Sequence, residues 1–460
     1  MRTGLRLVTV TTGAIALIGL GLLGCSPEQV VGNAQLPPNV ADPKATETPA
    51  GAVLAYRGTL ATFQTAFGTS PASVIVSGGL LADELQTASI GEPAGASDAY
   101  TPLDSRLLPE VQNPQLEVSE PYVATYGWLH AVRGQAQEAR GLLINFGGDT
   151  LRPLVGRLYA TEGYADIFLA DLFCSGIPLS TIDFGGDYTV RPGSSTTEVY
   201  QRAVTLMDSA LTVASDSARF LNFARIGKGR ALLALGQYVD AAQAVAQVPD
   251  GFQYEAFYVG GSAGQTPNFA FLNYNQPTLV NYTVGDREGL TGLDYRTSGD
   301  PRTASTAVAT SPYGRTLYHP NKYATDGSSP IVVADWVEAR LIEAETALQA
   351  GDVVTWLGKL NHLRETAIAP TLPDTTDPGT PNARVDLLFR ERAFWLFLTG
   401  HRQGDLRRLI RQYGRDPRQV FPTGPYPGGP GAYGSDVTAP IPATERLYNP
   451  QFTGCLNRGA

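Results

Sequence analysis

The chain has 460 residues, of which 43% are hydrophobic and 17% are charged, and its formal net charge is −9. This composition is typical of a globular protein, and a negative net charge without any basic run argues against nucleic-acid binding. The sequence contains no phosphate-binding loop, nucleophile elbow or Cys-x-x-Cys motif, and no two of its four histidines have a metal-ligand spacing.

Residues 1–24 have the layout of an export signal peptide. Two arginines precede an apolar run from Leu7 to Leu23, which threonines interrupt in its first half. A membrane-spanning helix would need roughly 20 predominantly apolar residues. Cys25 follows directly after Leu-Leu-Gly, as in a bacterial lipobox. We therefore predict cleavage before Cys25 and lipidation of its thiol; the alternative is an ordinary signal peptide that ends beside a cysteine.

Residues 25–48 are polar and rich in proline, which predicts a flexible tether between the lipid and a single folded domain at 49–460. Thr48 is expected to cap the first helix, because Pro49 occupies its first turn and an apolar helical pattern continues to Phe67.

Helical spacing then recurs along the chain in segments at about 122–146, 153–173, 196–214, 219–235 and 238–248. The stretch ARIGKGRALLALGQYVDAAQAVAQV has the rhythm of a tetratricopeptide-like pair, in which small residues let two helices approach and Gly236 permits the turn. A second pair, VEARLIEAETALQAGD and VVTWLGKLNHLRE, has Gly351 in its turn. We predict an all-α core that includes tetratricopeptide-like helix pairs.

Residues 252–323 interrupt this pattern with a loop-rich, aromatic-rich insert that leaves room for short strands. It contains 12 Phe or Tyr residues among many Gly, Asn, Thr and Pro residues. Flat aromatic faces stack on sugar rings or apolar side chains, and loops on a rigid scaffold often carry recognition. The alternative is that these rings pack the insert against the helices. The candidate ligand-binding residues are Tyr274, Tyr282, Tyr295, Tyr313 and Tyr318.

Charged residues cluster near the last helices, at Glu391, Arg392, Arg402, Asp405 and Arg408. They could form an acid/base pair with an arginine clamp on a substrate carboxylate or phosphate. A structural salt-bridge network is favoured, because Phe394 and Leu406 beside them look like core positions and Asp405 and Arg408 are three residues apart.

Cys174 and Cys455 are the cysteines left if Cys25 carries lipid. In an oxidising compartment they could form a disulfide, and two isolated buried thiols are the alternative.

Paired carboxylates, which glycoside hydrolysis needs, occur at Asp83 with Glu84 and at Glu343 with Glu345. Neighbours one or two positions apart on a helix point to different faces, so neither pair predicts an active site. We expect no catalytic residue, no metal and no cofactor.

Taken in order along the chain, these motifs resemble the SusD/RagB family of outer-membrane nutrient-binding lipoproteins. The resemblance begins at Cys25 and continues through LADEL, YADIFLADLFCSGIPLS, YQRAVTLMDSAL, AETALQAGD, LNHLRE, RERAFWLFLTGHRQGDLRR and PIPATERLYNPQF. The chain departs from the family where Trp395 and Thr399 replace acidic residues, and where Cys174 interrupts a Phe-Gly-x-x-Pro-Leu turn.

The resemblance implies a lipid-anchored protein of the outer membrane, exposed at the cell surface, that partners a SusC-type TonB-dependent transporter. It implies capture of an oligosaccharide or peptide before import, without catalysis. An envelope scaffold lipoprotein that binds only proteins, or a divergent glycan hydrolase, would be alternative functions.

Overall fold

The computed structural model describes residues 46–69, 71–89, 99–108, 121–182, 187–214, 217–261, 266–271 and 282–459. The signal peptide, Cys25 and most of the tether lie outside these residues, so lipidation stays a prediction. None of the helices in the described ranges is long and apolar enough to cross a membrane.

Helices dominate the described chain, as the sequence pattern predicts. They are α1 Pro49–Gly68, α2 Val74–Leu81, α3 Thr101–Asp104, α4 Pro121–Phe146, α5 Arg152–Leu172, α6 Thr196–Val213, α7 Ala218–Ala234, α8 Tyr238–Val245, α9 Trp336–Gln349, α10 Val353–Thr366, α11 Pro381–Trp395, α12 Arg402–Tyr413, α13 Pro417–Val420 and α14 Ala443–Tyr448.

Local side-chain chemistry sets where several helices begin. Thr48 Oγ1 accepts a hydrogen bond from the Gly51 N–H at 3.0 Å, so Thr48 caps α1 as expected. At α6, Ser195 and Glu198 form a capping box, in which each side chain accepts a hydrogen bond from the backbone N–H of the other residue. These caps satisfy N–H groups that have no partner inside the helix.

The helices stack in chain order from α4 to α8, and α8 packs against α9. The pair α7–α8 is therefore followed in space by the pair α9–α10. Gly229 allows α7 to approach α8, because a Cβ there would lie 2.6 Å from Val245 Cγ1. Gly236 makes the turn between them with φ at +74°, a conformation that glycine adopts without strain. The predicted all-α core with tetratricopeptide-like pairs is confirmed.

Within the described ranges the strands are short and pair in twos, and each of these pairs is antiparallel. They are β1 Leu85–Thr87 with β7 Tyr282–Val284, β2 Ile177–Pro178 with β5 Gly193–Ser194, β3 Thr181–Ile182 with β4 Tyr188–Thr189, β6 Gln253–Ala256 with β10 Ile331–Asp335, and β8 Ser305–Thr310 with β9 Thr316–Pro320. The insert thus contributes strands β6 to β9, and β6 and β7 pair with strands outside it.

The single ionic network expected at the last helices is divided into separate buried groups. Asp405 binds Arg392 and Arg408 at 2.8 Å each, and Arg408 also binds Glu345.

The other two predicted members face different partners. Arg402 pairs with Asp83 at 2.6 Å, and Glu391 accepts from Arg302 and Arg364 at 2.7 and 2.6 Å. The physical reason lies within α11, where adjacent Glu391 and Arg392 point to different faces of the helix and so meet different neighbours.

Cys174 and Cys455 form a disulfide with an Sγ–Sγ distance of 2.04 Å. The adjacent backbone reinforces the junction, because the Ser175 N–H donates to Asn457 O and the Leu456 N–H donates to Ser175 O. The C-terminal tail is thereby held against the end of α5.

Candidate functional site

The five candidate tyrosines have very different surroundings. Tyr274 lies outside the described residues. Tyr282 and Tyr295 are each only 1% exposed, so neither ring offers a face to a ligand. Tyr318 is half-buried, and the guanidinium of Arg296 covers its ring at 3.9 Å from the centroid. Tyr313, which is 47% exposed, presents its ring to solvent.

The burial of two candidates corrects the expectation that they bind ligand. Tyr282 lies on β7, whose pairing with β1 turns it into the core, where its hydroxyl donates to Phe269 O. Tyr295 stacks on Phe397 and donates to Asp83 Oδ1. These two rings therefore pack the insert against the helices, which was the alternative considered for them.

Tyr313 belongs to a surface formed by two loops. It lies in the turn between β8 and β9, where Arg315 Nη2 donates to Pro427 O at 2.9 Å. Exposed Leu290 is joined to the start of the loop that contains Pro427, because the Leu290 N–H donates to Thr423 O at 2.9 Å. We call Leu290, Tyr313, Arg315 and Pro427 the insert surface. It contains an aromatic face, an aliphatic group and a charged donor, and such groups can stack on and hydrogen-bond a ligand.

Two buried carboxyl groups lie beneath this surface, Asp104 on α3 and Glu288 in the insert. Each is 1% exposed, and they lie close enough for the charge of Asp104 to act on Glu288. Tyr426 donates to Asp104 Oδ2 at 2.8 Å, and Tyr433 donates to Glu288 Oε2 at 3.2 Å. The two tyrosine rings meet edge to face. This cluster joins α3, the insert and the 424–433 loop.

Burial raises the pKa of both carboxyl groups. The pKa of Asp104 rises to about 6, because desolvation outweighs hydrogen bonds from the Thr87 N–H and Tyr426. The pKa of Glu288 rises well above its ordinary value through burial and through the charge of Asp104. Above the ordinary carboxyl range the folded pair therefore keeps protons that the unfolded chain would release.

We expect the free energy of unfolding to fall with rising pH over the range in which the folded chain holds these protons and the unfolded chain does not. The window begins near pH 4, the ordinary carboxyl range, and continues through pH 6. Glu288→Gln removes one of the two ionisations. It should make the slope of unfolding free energy against pH shallower above the ordinary carboxyl range, by at most about 1.4 kcal/mol per pH unit.

Urea unfolding at a series of pH values measures this slope. Glu365→Gln, at an exposed position on α10, is the matched control. Its slope of unfolding free energy against pH should equal that of the parent chain. A Glu288→Gln slope equal to that of the parent would show that Glu288 is not protonated in the folded state.

Sequence reasoning did not identify Asp104, Glu288 or Arg315 as members of the site. Glu288 and Arg315 are single polar residues of the insert, Asp104 is the last residue of the short helix α3, and Asp104 and Glu288 meet only through tertiary structure. Tyr426 and Tyr433 lie in a segment rich in Pro and Gly, whose sequence does not indicate their carboxylate partners.

The carboxylate pairs that the sequence suggested for hydrolysis are engaged in structural contacts. Asp83 binds Arg402, and Glu84 Oε1 accepts from the Leu398 N–H at 2.8 Å. Glu343 binds Arg340 and Lys359, and Glu345 is buried against Arg408. Among the residues that the structure describes, no group of three or more His, Cys, Asp or Glu could hold a metal ion.

No protein-family model matches the chain, and no curated protein is similar to it. Solved structures, however, are similar over nearly the whole fold. A SusD superfamily protein from Bacteroides thetaiotaomicron has a TM-score of 0.63 at 16% identity, covering 89% of this chain and 99% of that one.

Two further similar structures are described by what they bind. A laminarin-binding SusD-like protein has a TM-score of 0.62 at 15% identity, covering 90% of this chain and all of the other. A SusD-like carbohydrate-binding protein from Bacteroides vulgatus has a TM-score of 0.60 at 14% identity, covering 88% and 97%. These likenesses agree with the resemblance carried by the motifs, and the chain therefore has the SusD-like fold over nearly its whole length.

Proposed function

We propose that this chain is a non-catalytic, lipid-anchored protein of the cell surface that captures a glycan for import through a TonB-dependent outer-membrane transporter. The observation that carries the proposal is the whole-length likeness to SusD-like structures, two of which are described as laminarin-binding and carbohydrate-binding. A glycan is preferred to a peptide because those descriptions name carbohydrate ligands.

The insert surface supports glycan capture by its chemistry. Tyr313 offers a flat ring, and Arg315 has donors beyond the one that binds Pro427 O. Arg315 is fixed by that contact, so the surface is held in place before a ligand arrives. Lipid anchoring is supported by the lipobox at Cys25, and the transporter partner by the motif series that resembles the family.

A pull-down from the native host tests the import role. The tagged, lipidated chain is extracted in mild detergent, and its co-purifying proteins are identified by mass spectrometry. Near-equal amounts of a large TonB-dependent barrel would support uptake. A membrane-bound chain that carries no barrel would favour the envelope scaffold. Turnover of a bound glycan would favour the hydrolase.

Tyr313→Ala should weaken glycan binding by about tenfold, because loss of one central aromatic contact typically costs more than 1 kcal/mol. Laminarin is the first probe, and isothermal titration calorimetry with a panel of glycans gives the affinities. Tyr188→Ala is the matched control, since Tyr188 is more exposed than Tyr313, at 63% against 47%, but lies on β4, outside the insert. Equal losses of glycan affinity in the two variants, or no loss in Tyr313→Ala, would show that the insert surface is not the glycan-binding site.

A further inference from the structure

A separate pocket of about 180 Å³ lies between α11, α12, α13 and the insert backbone at residues 291–293. We call it the arginine pocket and define it by its apolar floor and its three guanidinium groups. The floor consists of Phe389, Leu406, Leu409 and Val420, all of which are buried residues of the main hydrophobic core. None of the residues that define the insert surface lines this pocket.

Three arginines line the pocket above this floor. Arg402 is buried at its base, and Arg390 and Arg415 are on the rim. Each is held by one carboxylate: Arg402 by Asp83, Arg390 by Asp294 at 2.8 Å and Arg415 by Asp386 at 2.8 Å. These contacts fix the positions of the guanidinium groups, so their remaining N–H groups are preorganised.

The buried arginine has donor capacity that the protein does not use. Arg402 donates through Nε and Nη2 to the two oxygens of Asp83 at 2.6 and 2.8 Å. Its Nη1 group has no hydrogen-bond partner within the described part of the chain. The charge of this guanidinium is permanent, and an N–H group at the base of a pocket favours an acceptor on whatever enters.

The lining is rich in donors and poor in acceptors. Its one carboxylate is Asp386, which already accepts from Arg415. Gln419 on the rim adds an amide with donors of its own. A neutral apolar ligand would leave these donors unused, whereas a carboxylate could accept from two guanidinium groups at once.

We propose that the arginine pocket binds a carboxylate carried by an apolar group of about one ring. The size follows from the volume, because an engineered apolar cavity of about 150 Å³ holds benzene. The apolar group would contact Phe389 and Leu409, and its carboxylate would accept from Arg402 and a rim arginine. Both a free aromatic acid and the C-terminal residue of a peptide have this chemistry.

Ligand-detected NMR titration of the mature chain with 3-phenylpropanoate tests the proposal. The acid should bind saturably, and 3-phenylpropan-1-ol, which has the same ring without the carboxylate, should bind about tenfold more weakly or less. Arg390→Gln and Arg415→Gln should each weaken binding of the acid by about tenfold. Both residues are on the rim and partly exposed, so the variants should fold, which thermal unfolding checks.

Arg418→Gln is the matched control. Arg418 is on α13, next to the pocket, but it does not line it and is almost fully exposed. Its loss should leave binding of the acid unchanged. Equal binding of acid and alcohol, equal losses in all three variants, or no saturable binding would each overturn the proposal.

Two further titrations distinguish the source of the ligand and the independence of the site. A short peptide ending in Phe is compared with its C-terminal amide; a preference for the free carboxylate would identify a peptide end as a ligand. The Arg390→Gln variant should bind laminarin with the same affinity as the parent chain, because the pocket is separate from the insert surface. If the chain binds no glycan, the titration with 3-phenylpropanoate therefore still tests the arginine pocket.

Discussion

Asp405→Asn is expected to lower the free energy of unfolding by about 3–5 kcal/mol, the cost of removing one partner from a buried ion pair. Burial alone would raise the pKa of Asp405, but the charges of Arg392 and Arg408 hold it well below its ordinary value. The change leaves these two guanidinium groups with Glu345 as their remaining buried carboxylate partner. Asparagine keeps the shape of the side chain, so the effect reports the lost charge and not a cavity.

Equilibrium urea unfolding measures this effect, and Asp416→Asn provides the matched comparison. Asp416 binds Arg418 at the surface and caps α13, and asparagine caps a helix equally well. The free energy of unfolding of that variant should lie within about 0.5 kcal/mol of the parent value. Similar losses of unfolding free energy in both variants would mean that Asp405 in the buried cluster stabilises the fold no more than a surface ion pair does.

Replacing both Cys174 and Cys455 by alanine is expected to lower the free energy of unfolding by about 2–5 kcal/mol. The two cysteines are 281 positions apart, so the bond restricts a very long loop in the unfolded chain. In the folded state the bond also holds the C-terminal tail beside Ser175. Unfolding is followed in urea with and without a reductant.

The reductant provides the internal control for this experiment. It should destabilise the parent chain to about the level of the double variant, and it should leave the double variant unchanged. Two free thiols in the mature parent chain, detected by non-reducing mass spectrometry, would contradict the bond itself.

The helices were predictable because their signals are local. Apolar residues at helical spacing fell close to the observed bounds of α4 to α10, and Thr48 caps α1 as its position before Pro49 indicated. The turn glycines at 236 and 351 have positive φ angles, which their places between helical patterns predicted. Each of these features depends on residues within one or two turns of each other.

The insert was predictable as a segment but not in the orientation of its side chains. Its loss of helical period and its aromatic content located it between α8 and α9. Which rings face solvent depends on partners outside the insert. Strand β7 pairs with β1, and the Tyr295 hydroxyl donates to Asp83. Consequently Tyr282 and Tyr295 are core residues, while Tyr313, in a turn between strands, is exposed.

The sequence by itself determined the helical segments, their caps and turns, and the order of motifs that implies a SusD-like protein. Only the tertiary structure decided which distant residues meet: Arg402 with Asp83, Asp104 with Glu288, and the arginines around one pocket. Helix formation follows from contacts between near neighbours in the chain. The choice of ionic partners follows from how those helices pack, because a buried charge must find a partner wherever the fold brings one within reach.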